Sequence, residues 1–314
     1  MKNIAKLIKL TLIVVSSTIM FSCSDDDDNN QNNSIAAIAS RTADLSILVD
    51  ALEKTDLVET LDGTGSYTVF APTNAAFTTF LSANGYDNLD AVPTAALKEI
   101  LLNHVVNGTN LSTSLSTGYI KTLAKGSASS TNTLSMFVNT ASGVRLNGVS
   151  NVSTADVVAS NGVVHIVDAV IGLPTVVTHA TANPNFSSLV GALTSAGQPD
   201  FVGILSGTAS SPFTVFAPSN AAFTAFETQN PGTLAGLTTA QLTAVLSYHV
   251  VAGANVLSNA IPSGPITTYE TGTFTVSGTV ITDEAMRQTN IVAVDVQASN
   301  GVIHVLDNII LPEL

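Results

Sequence analysis

The feature that most constrains this chain is that it repeats itself. "YTVFAPTNAAF" at residues 67–77 returns as "FTVFAPSNAAF" at 213–223, and "LLNHVVNG" at 101–108 returns as "LSYHVVAG" at 246–253. "SNGVVHIVDAVI" at 160–171 returns as "SNGVIHVLDNII" at 299–310. The three offsets are 146, 145 and 139 residues, so loop lengths drift while the order of blocks holds. Self-similarity of this kind means two copies of one folding unit. A chain of 314 residues has room for both, each burying about two thirds of its unfolded surface. The boundary falls in "GLPTVVTHATANP", which gives copies over 34–173 and 174–314.

Each copy mixes helical and strand periodicities. Leu45, Leu48, Val49 and Leu52 match Phe186, Leu189, Val190 and Leu193, at the i, i+3, i+4, i+7 spacing of one helix face. "YTVF" predicts a short buried strand closed by Ala71-Pro72, because proline lacks the N–H that a ladder needs. Asn74 is placed to cap the helix that follows. A second helix runs through "TAALKEILLNHVV", with Thr94 as its cap and Leu97, Ile100, Leu101 and His104 on one face. Leu242, Val245, Leu246 and His249 repeat that face in the second copy. Alternating segments such as "FTVSGTVIT" at 274–282 suit strands joined by turns. The pairs Asn161-Gly162 and Asn300-Gly301 favour a two-residue type I′ hairpin.

Two blocks per copy, "TVFAPxNAAF" and the strand that follows Asn-Gly, are joined by a helix ending in His-Val-Val. Together they resemble the signature blocks of fasciclin domains over about residues 34–314. The resemblance implies an α+β fold of two tandem domains, each a wedge of two β-sheets with packed α-helices. It also implies an extracellular or cell-surface setting and a role in adhesion.

Histidine is the residue type that demands explanation. His104, His165, His249 and His304 belong to the repeat, and only His179 stands outside it. Side chains alternate along a strand, so His165 and Asp168 face opposite ways, as do His304 and Asp307. Neither pair makes a catalytic dyad. Two repeated histidines per copy, without a matched cysteine or carboxylate cluster, fall short of a metal site. No Gly-x-Ser-x-Gly elbow marks a nucleophile. The four repeated histidines are therefore expected to be structural, each imidazole donating with one nitrogen and accepting with the other. No catalytic residue, metal or other cofactor is expected. Tyr248-His249 also resembles the tyrosine–histidine motif credited with receptor binding in some adhesive fasciclin domains; the first copy has Asn103-His104 instead.

The N-terminus supplies a location. Residues 1–22 carry Lys2, Lys6 and Lys9, then an apolar run from Leu10, in the layout of an export signal. Cys23 is the sole cysteine of the chain and follows a small residue, which resembles a bacterial lipobox and predicts an acylated N-terminus. The polar run through 33 reads as a flexible tether. Within it, Ser24 and Asp25, Asp26, Asp27 and Asp28 resemble the signal that sends Bacteroidetes lipoproteins to the outer face of the outer membrane. With the leader removed, seven basic residues stand against 23 acidic ones, which disfavours nucleic acid as a partner. The expected protein is a non-enzymatic surface lipoprotein. It is held to the outer membrane by lipid and adheres to cells, matrix or glycans through an extracellular protein or glycan ligand. A carbohydrate-capture module serving an uptake or degradation system is the alternative, though 12 Phe and 5 Tyr without Trp give it little support.

The role of Cys23 is open to direct test. Thioether attachment of acyl chains requires its thiol, so Cys23→Ala is expected to shift the protein out of the membrane fraction or stall it as an uncleaved precursor. Fractionation followed by mass measurement reads either outcome; unchanged membrane retention with normal cleavage would refute the lipobox assignment.

Overall fold

Two apolar strands that lie far apart in sequence pair in parallel at the centre of each copy. The structure, a computed structural model, describes residues 33–314; the leader, Cys23 and Ser24–Asp28 lie outside the described residues. The first copy contains β1 (Tyr67–Pro72), β2 (Val105–Asn107), β3 (Gly118–Gly126), β4 (Ser129–Asn139), β5 (Arg145–Leu146), β6 (Ser150–Ala159) and β7 (Gly162–Val167). The second contains β8 (Phe213–Pro218), β9 (Val250–Ala252), β10 (Ile266–Thr267), β11 (Thr273–Ser277), β12 (Val280–Thr282), β13 (Gln288–Ala298) and β14 (Gly301–Leu306). β1 runs parallel to β7 from Tyr67↔Gly162 to Pro72↔Val167, and β8 parallel to β14 from Phe213↔Gly301 to Pro218↔Leu306. Parallel strands covered on both faces read as unbroken apolar runs, which accounts for "TVFA" and "GVVHIV".

In the first copy β1 to β7 close into a barrel, with β3 and β6 each shared between the two faces of the wedge. The second copy keeps the same order but stays open between β9 and β10. Helices Ile35–Arg41, Ser46–Lys54 and Thr94–Leu102 cover one side of β1 and β7 with Leu48, Leu52, Leu97 and Leu101. Phe70, Met136, Val138 and Val167 fill the interior on the other side.

Several local expectations are corrected. β1 continues through Pro72, which occupies the last paired position. The helix Asn74–Ala83 is capped by Thr73, whose hydroxyl accepts from the Ala76 N–H at 3.2 Å. Asn74 is thereby free to tie two helices: its Oδ1 accepts from Ile47 N at 2.9 Å and its Nδ2 donates to Ser46 Oγ at 3.0 Å. Thr94 lies inside its helix, behind Pro93, and only the second copy has a hydroxyl cap there, Thr238 with Gln241.

The Asn-Gly pairs do not form type I′ turns. Ala159 pairs with Gly162, so the loop residues are Ser160 and Asn161, and Asn161 does not adopt positive φ. The glycine serves close approach instead: a Cβ on Gly162 would lie 1.9 Å from the Tyr67 carbonyl oxygen, and one on Gly301 2.2 Å from that of Phe213. The asparagine serves as a buried tie. Asn161 Oδ1 accepts from Ile35 N at 2.9 Å, while Nδ2 donates to Leu61 O at 2.7 Å and Gly63 O at 2.9 Å. Asn300 does the same with Val176 N and Leu205 O. Both anchor the first and third helices of their copy to the start of the parallel strand.

The copies join through the β3–β4 hairpin, which is long in the first copy and has only the short β10–β11 as its counterpart. It lies against β13 and the helix Val176–Ala182. Lys121 Nζ donates to Asp295 O at 2.9 Å, Gln297 N to Ser135 Oγ at 3.0 Å, and Ala128 N to Ser299 O at 2.9 Å. Tyr119 packs into the core of the second copy. Residues 33–314 thus behave as one compact unit.

Replacing Asn161 by Ala strands two buried backbone groups, Ile35 N and Leu61 O, and frees the exposed Gly63 carbonyl; it is expected to cost about 2 kcal/mol. Denaturant melts of Asn161→Ala and Asn300→Ala check this; a loss under about 0.5 kcal/mol in both would mean water replaces the amide.

Candidate functional site

The histidines occupy two kinds of place, and the second copy repeats both. His104 ends the helix Thr94–Leu102. Its Nδ1 donates to Ile100 O at 2.7 Å, and its Nε2 accepts from Ile171 N at 2.9 Å. His249 follows helix Thr239–Tyr248 with the same geometry, to Val245 O at 2.7 Å and from Ile310 N at 3.2 Å. A backbone N–H only donates, so Nε2 must be bare and Nδ1 must carry the proton. Each ring therefore clips a helix end to the chain leaving the parallel strand. Burial lowers the pKa of both to about 4, against a partial offset from the carbonyl acceptor.

His165 and His304 sit within β7 and β14, fully buried and facing Phe70 and Phe216 at ring-centroid distances of 5.4 and 5.3 Å. Their Nε2 atoms donate to Asn110 O at 2.9 Å and Val256 O at 2.8 Å. His165 Nδ1 accepts from Asp156 N at 3.2 Å; His304 Nδ1 has no partner among the described residues. Their sequence neighbours Asp168 and Asp307 hold Asn151 and Asn290 across the hairpin, away from either imidazole.

One constellation was not read from the sequence. Asp156 and Asp295 stand nine residues before His165 and His304, a repeated spacing that was available to find them. Each lies at a bulge in β6 or β13 with φ of 61° or 60°, which turns its carboxylate toward the loop that the histidine also holds. Ser112 gives Asp156 both its N–H, at 2.7 Å, and its hydroxyl, at 2.5 Å. Ser258 does the same for Asp295, at 2.8 and 2.6 Å. These bonds hold the Asp156 carboxyl below the usual carboxylate range. Serine, aspartate and histidine thus converge twice, yet the order of contacts is wrong for acyl transfer. The hydroxyl donates to the carboxylate instead of the imidazole, and Nε2, the atom that would take its proton, already donates to a carbonyl. The geometry builds a loop clamp.

His179, outside the repeat by sequence, lies between the copies. It is fully buried, edge-on to Tyr119 at 5.4 Å, with Nε2 3.4 Å from Gln297 O, and burial lowers its pKa to about 4. Tyr248 is also fully buried and His249 is 3% exposed. The Tyr248 hydroxyl donates to Thr273 O at 2.6 Å, and burial pushes its pKa up. Asn103 holds the matching place in the first copy and accepts from the Thr122 hydroxyl at 3.2 Å. A partner could reach the Tyr248-His249 pair only if the helix end opened. Among the described residues no group of three or more His, Cys, Asp or Glu is placed to hold a metal ion.

Two tandem α+β units of this topology define a class of domain pair, and comparison with known proteins identifies it. A family model described as "Fasciclin domain" matches residues 43–174 and 184–312, and the chain belongs to that family. Human periostin is 27% identical over 268 residues, covering 82% of this chain and 30% of periostin. Transforming growth factor-beta-induced protein ig-h3 of Sus scrofa is 28% identical over 293 residues, covering 89% of this chain and 39% of that protein. Protein sll1483 of Synechocystis sp. is 40% identical over 147 residues, 45% of this chain and 74% of that protein. The fold is shared with the FAS1 domain pair of the insect cell adhesion molecule fasciclin I, at a TM-score of 0.54 and 20% identity, covering 85% of this chain and 97% of that one.

The pH dependence of stability isolates the histidine clips. His104, His179 and His249 have folded pKa values of about 4 against 6.5 when unfolded, so the unfolded chain binds more protons between those values. Their contribution is complete above pH 6.5 and is lost as pH falls toward 4, by at most about 3 kcal/mol each. Denaturant midpoints should fall between pH 7 and 4.5, a range above the ordinary carboxylate pKa values. A flat profile would mean the imidazoles charge without opening the fold.

Proposed function

We propose that this chain is a non-enzymatic, lipid-anchored adhesion module displayed outside the outer membrane, where it joins the cell to other cells, matrix or glycans. The observation that carries this reading is the fusion of two fasciclin copies into one unit whose serine–aspartate–histidine clusters are spent on holding loops. A rigid pair of this kind presents outward-facing surfaces in fixed relation, as a binding module requires. The fold neighbour belongs to an insect cell adhesion molecule, which favours the same use. No helix among the described residues is long and apolar enough to cross a membrane, so anchoring in this reading falls to acylated Cys23. The acidic run beyond it would act as the export signal and tether. Lipid, an extracellular protein or glycan, and no nucleic acid are the partners this implies.

Replacing Asp25 to Asp28 by Ala tests display and adhesion together. Lipidation and folding are expected to persist while protease shaving of intact cells removes less of the protein, and binding of those cells to immobilised matrix or glycans should fall in step. Equal shaving of mutant and wild type would reduce the acidic run to a spacer; full display with no adhesion above a deletion strain would refute the adhesive role.

A further inference from the structure

Both copies carry a surface groove beside the helix that follows the "FAP" strand, and the two grooves are furnished differently. In the first copy it lies between helices Ser46–Lys54 and Asn74–Ala83 and the loop 85–89, and offers about 670 Å³. That lies within the size range of small-ligand sites. Asp50, Ser82, Tyr86 and Asp87 line it beside Leu81 and Leu89. Among the described residues, these four polar side chains make no hydrogen bond or ion pair, whereas Thr78 and Asn88, which also line the groove, are bonded to Asn74 O and Ala91 N. The matching groove of the second copy is lined by Phe223, Thr224, Glu227, Thr228 and Leu234. There Asp50 becomes Gly191, no tyrosine is present, and the Glu227 carboxylate accepts from Gly232 N in its own loop.

The walls of the first groove are fixed before any ligand arrives. Gly85, at φ 71°, ends the helix, and Tyr86 N donates back to Leu81 O at 2.9 Å, which sets the ring beside Leu81. Lys54 Nζ donates to Leu89 O, Asp90 O and Val92 O at 2.9, 3.0 and 2.9 Å, pinning the loop to the first helix. Asn74 ties that helix to the second. The second copy has Ser195 in place of Lys54, and it bonds only within its own turn.

We propose that this groove binds a neutral saccharide. A half-buried tyrosine ring with Leu81 and Leu89 offers an apolar wall for the C–H face of a pyranose at low entropic cost. Asp50 and Asp87 accept from its hydroxyls through charge-assisted bonds, and Ser82 and the tyrosine hydroxyl both give and accept. Two unpaired carboxylates without a third do not make a cation site here. The inference rests on the adhesion reading and gives it a ligand class.

Saturation-transfer NMR of the purified full chain with methyl glucosides, galactosides and mannosides, backed by an array of neutral oligosaccharides, tests the proposal. At least one saccharide should bind saturably. Tyr86→Ala and Asp87→Asn should each weaken binding about tenfold or more, Tyr86→Phe less, and Thr228→Ala in the second groove not at all. Asp50→Asn and Asp87→Asn change only exposed oxygens, so they report on the groove even if Tyr86→Ala unfolds, and melts verify each variant. Absence of saturable binding by any neutral saccharide overturns the proposal, as does binding that survives Asp50→Asn and Asp87→Asn, or selective capture of polylysine. Cell adhesion that persists in the groove variants would leave the adhesive role standing on another surface.

Discussion

The backbone contact between Gly162 and Tyr67, repeated between Gly301 and Phe213, is the constraint on which the rest of each copy depends. It brings the closing strand into parallel register with a strand 95 residues earlier in the first copy and 88 in the second, and buries both on two faces. Burial on two faces leaves no water for nearby backbone groups, so every orphaned N–H and carbonyl around the pair needs a protein partner. The asparagine before the glycine serves the helices, and the histidine at the end of the long helix serves the chain that leaves the strand. The histidine within the strand serves the loop. These asparagines and histidines thereby satisfy backbone groups that the parallel pair would otherwise strand.

That relation explains what the sequence made legible. Repeated polar residues inside apolar runs stood out because a buried polar side chain is costly unless it is bonded, so His104, His165, His249 and His304 could be assigned structural work from pattern alone. The partners of those bonds were not legible, because Ile171 lies 67 residues from His104 and Asn110 lies 55 from His165. The Asn-Gly pairs misled for a physical reason. The dipeptide has a strong local preference, and here glycine answers a long-range contact that local pattern does not encode. Thr73 and Asn74 swapped roles for the same cause, since Asn74 is used by a helix 27 residues away.

The second copy acts as an internal control on which features the fold requires. What both copies keep, the Asn-Gly ties, the two histidine places and the aspartate bulges, is the frame. What they do not share separates into two groups. The β3–β4 hairpin is extended only in the first copy and receives the second through Tyr119, Lys121 and Ser135. Its counterpart in the second copy, β10–β11, is too short to offer the same contact, so the joint between the copies is asymmetric.

The other group lies on the helical side, away from that joint, where Lys54, Tyr86 and Asp87 have no equivalents. A residue kept by neither the repeat nor the inter-copy contact has no folding duty that the second copy fails to discharge without it. Lys54 is informative here. Three carbonyl bonds from one ammonium immobilise a surface loop, and the second copy folds to the same topology with a serine in that position. Ordering a loop costs about 1–2 kcal/mol per residue in backbone entropy. Order of that kind at an exposed rim gains most where something must be met by a surface already in shape.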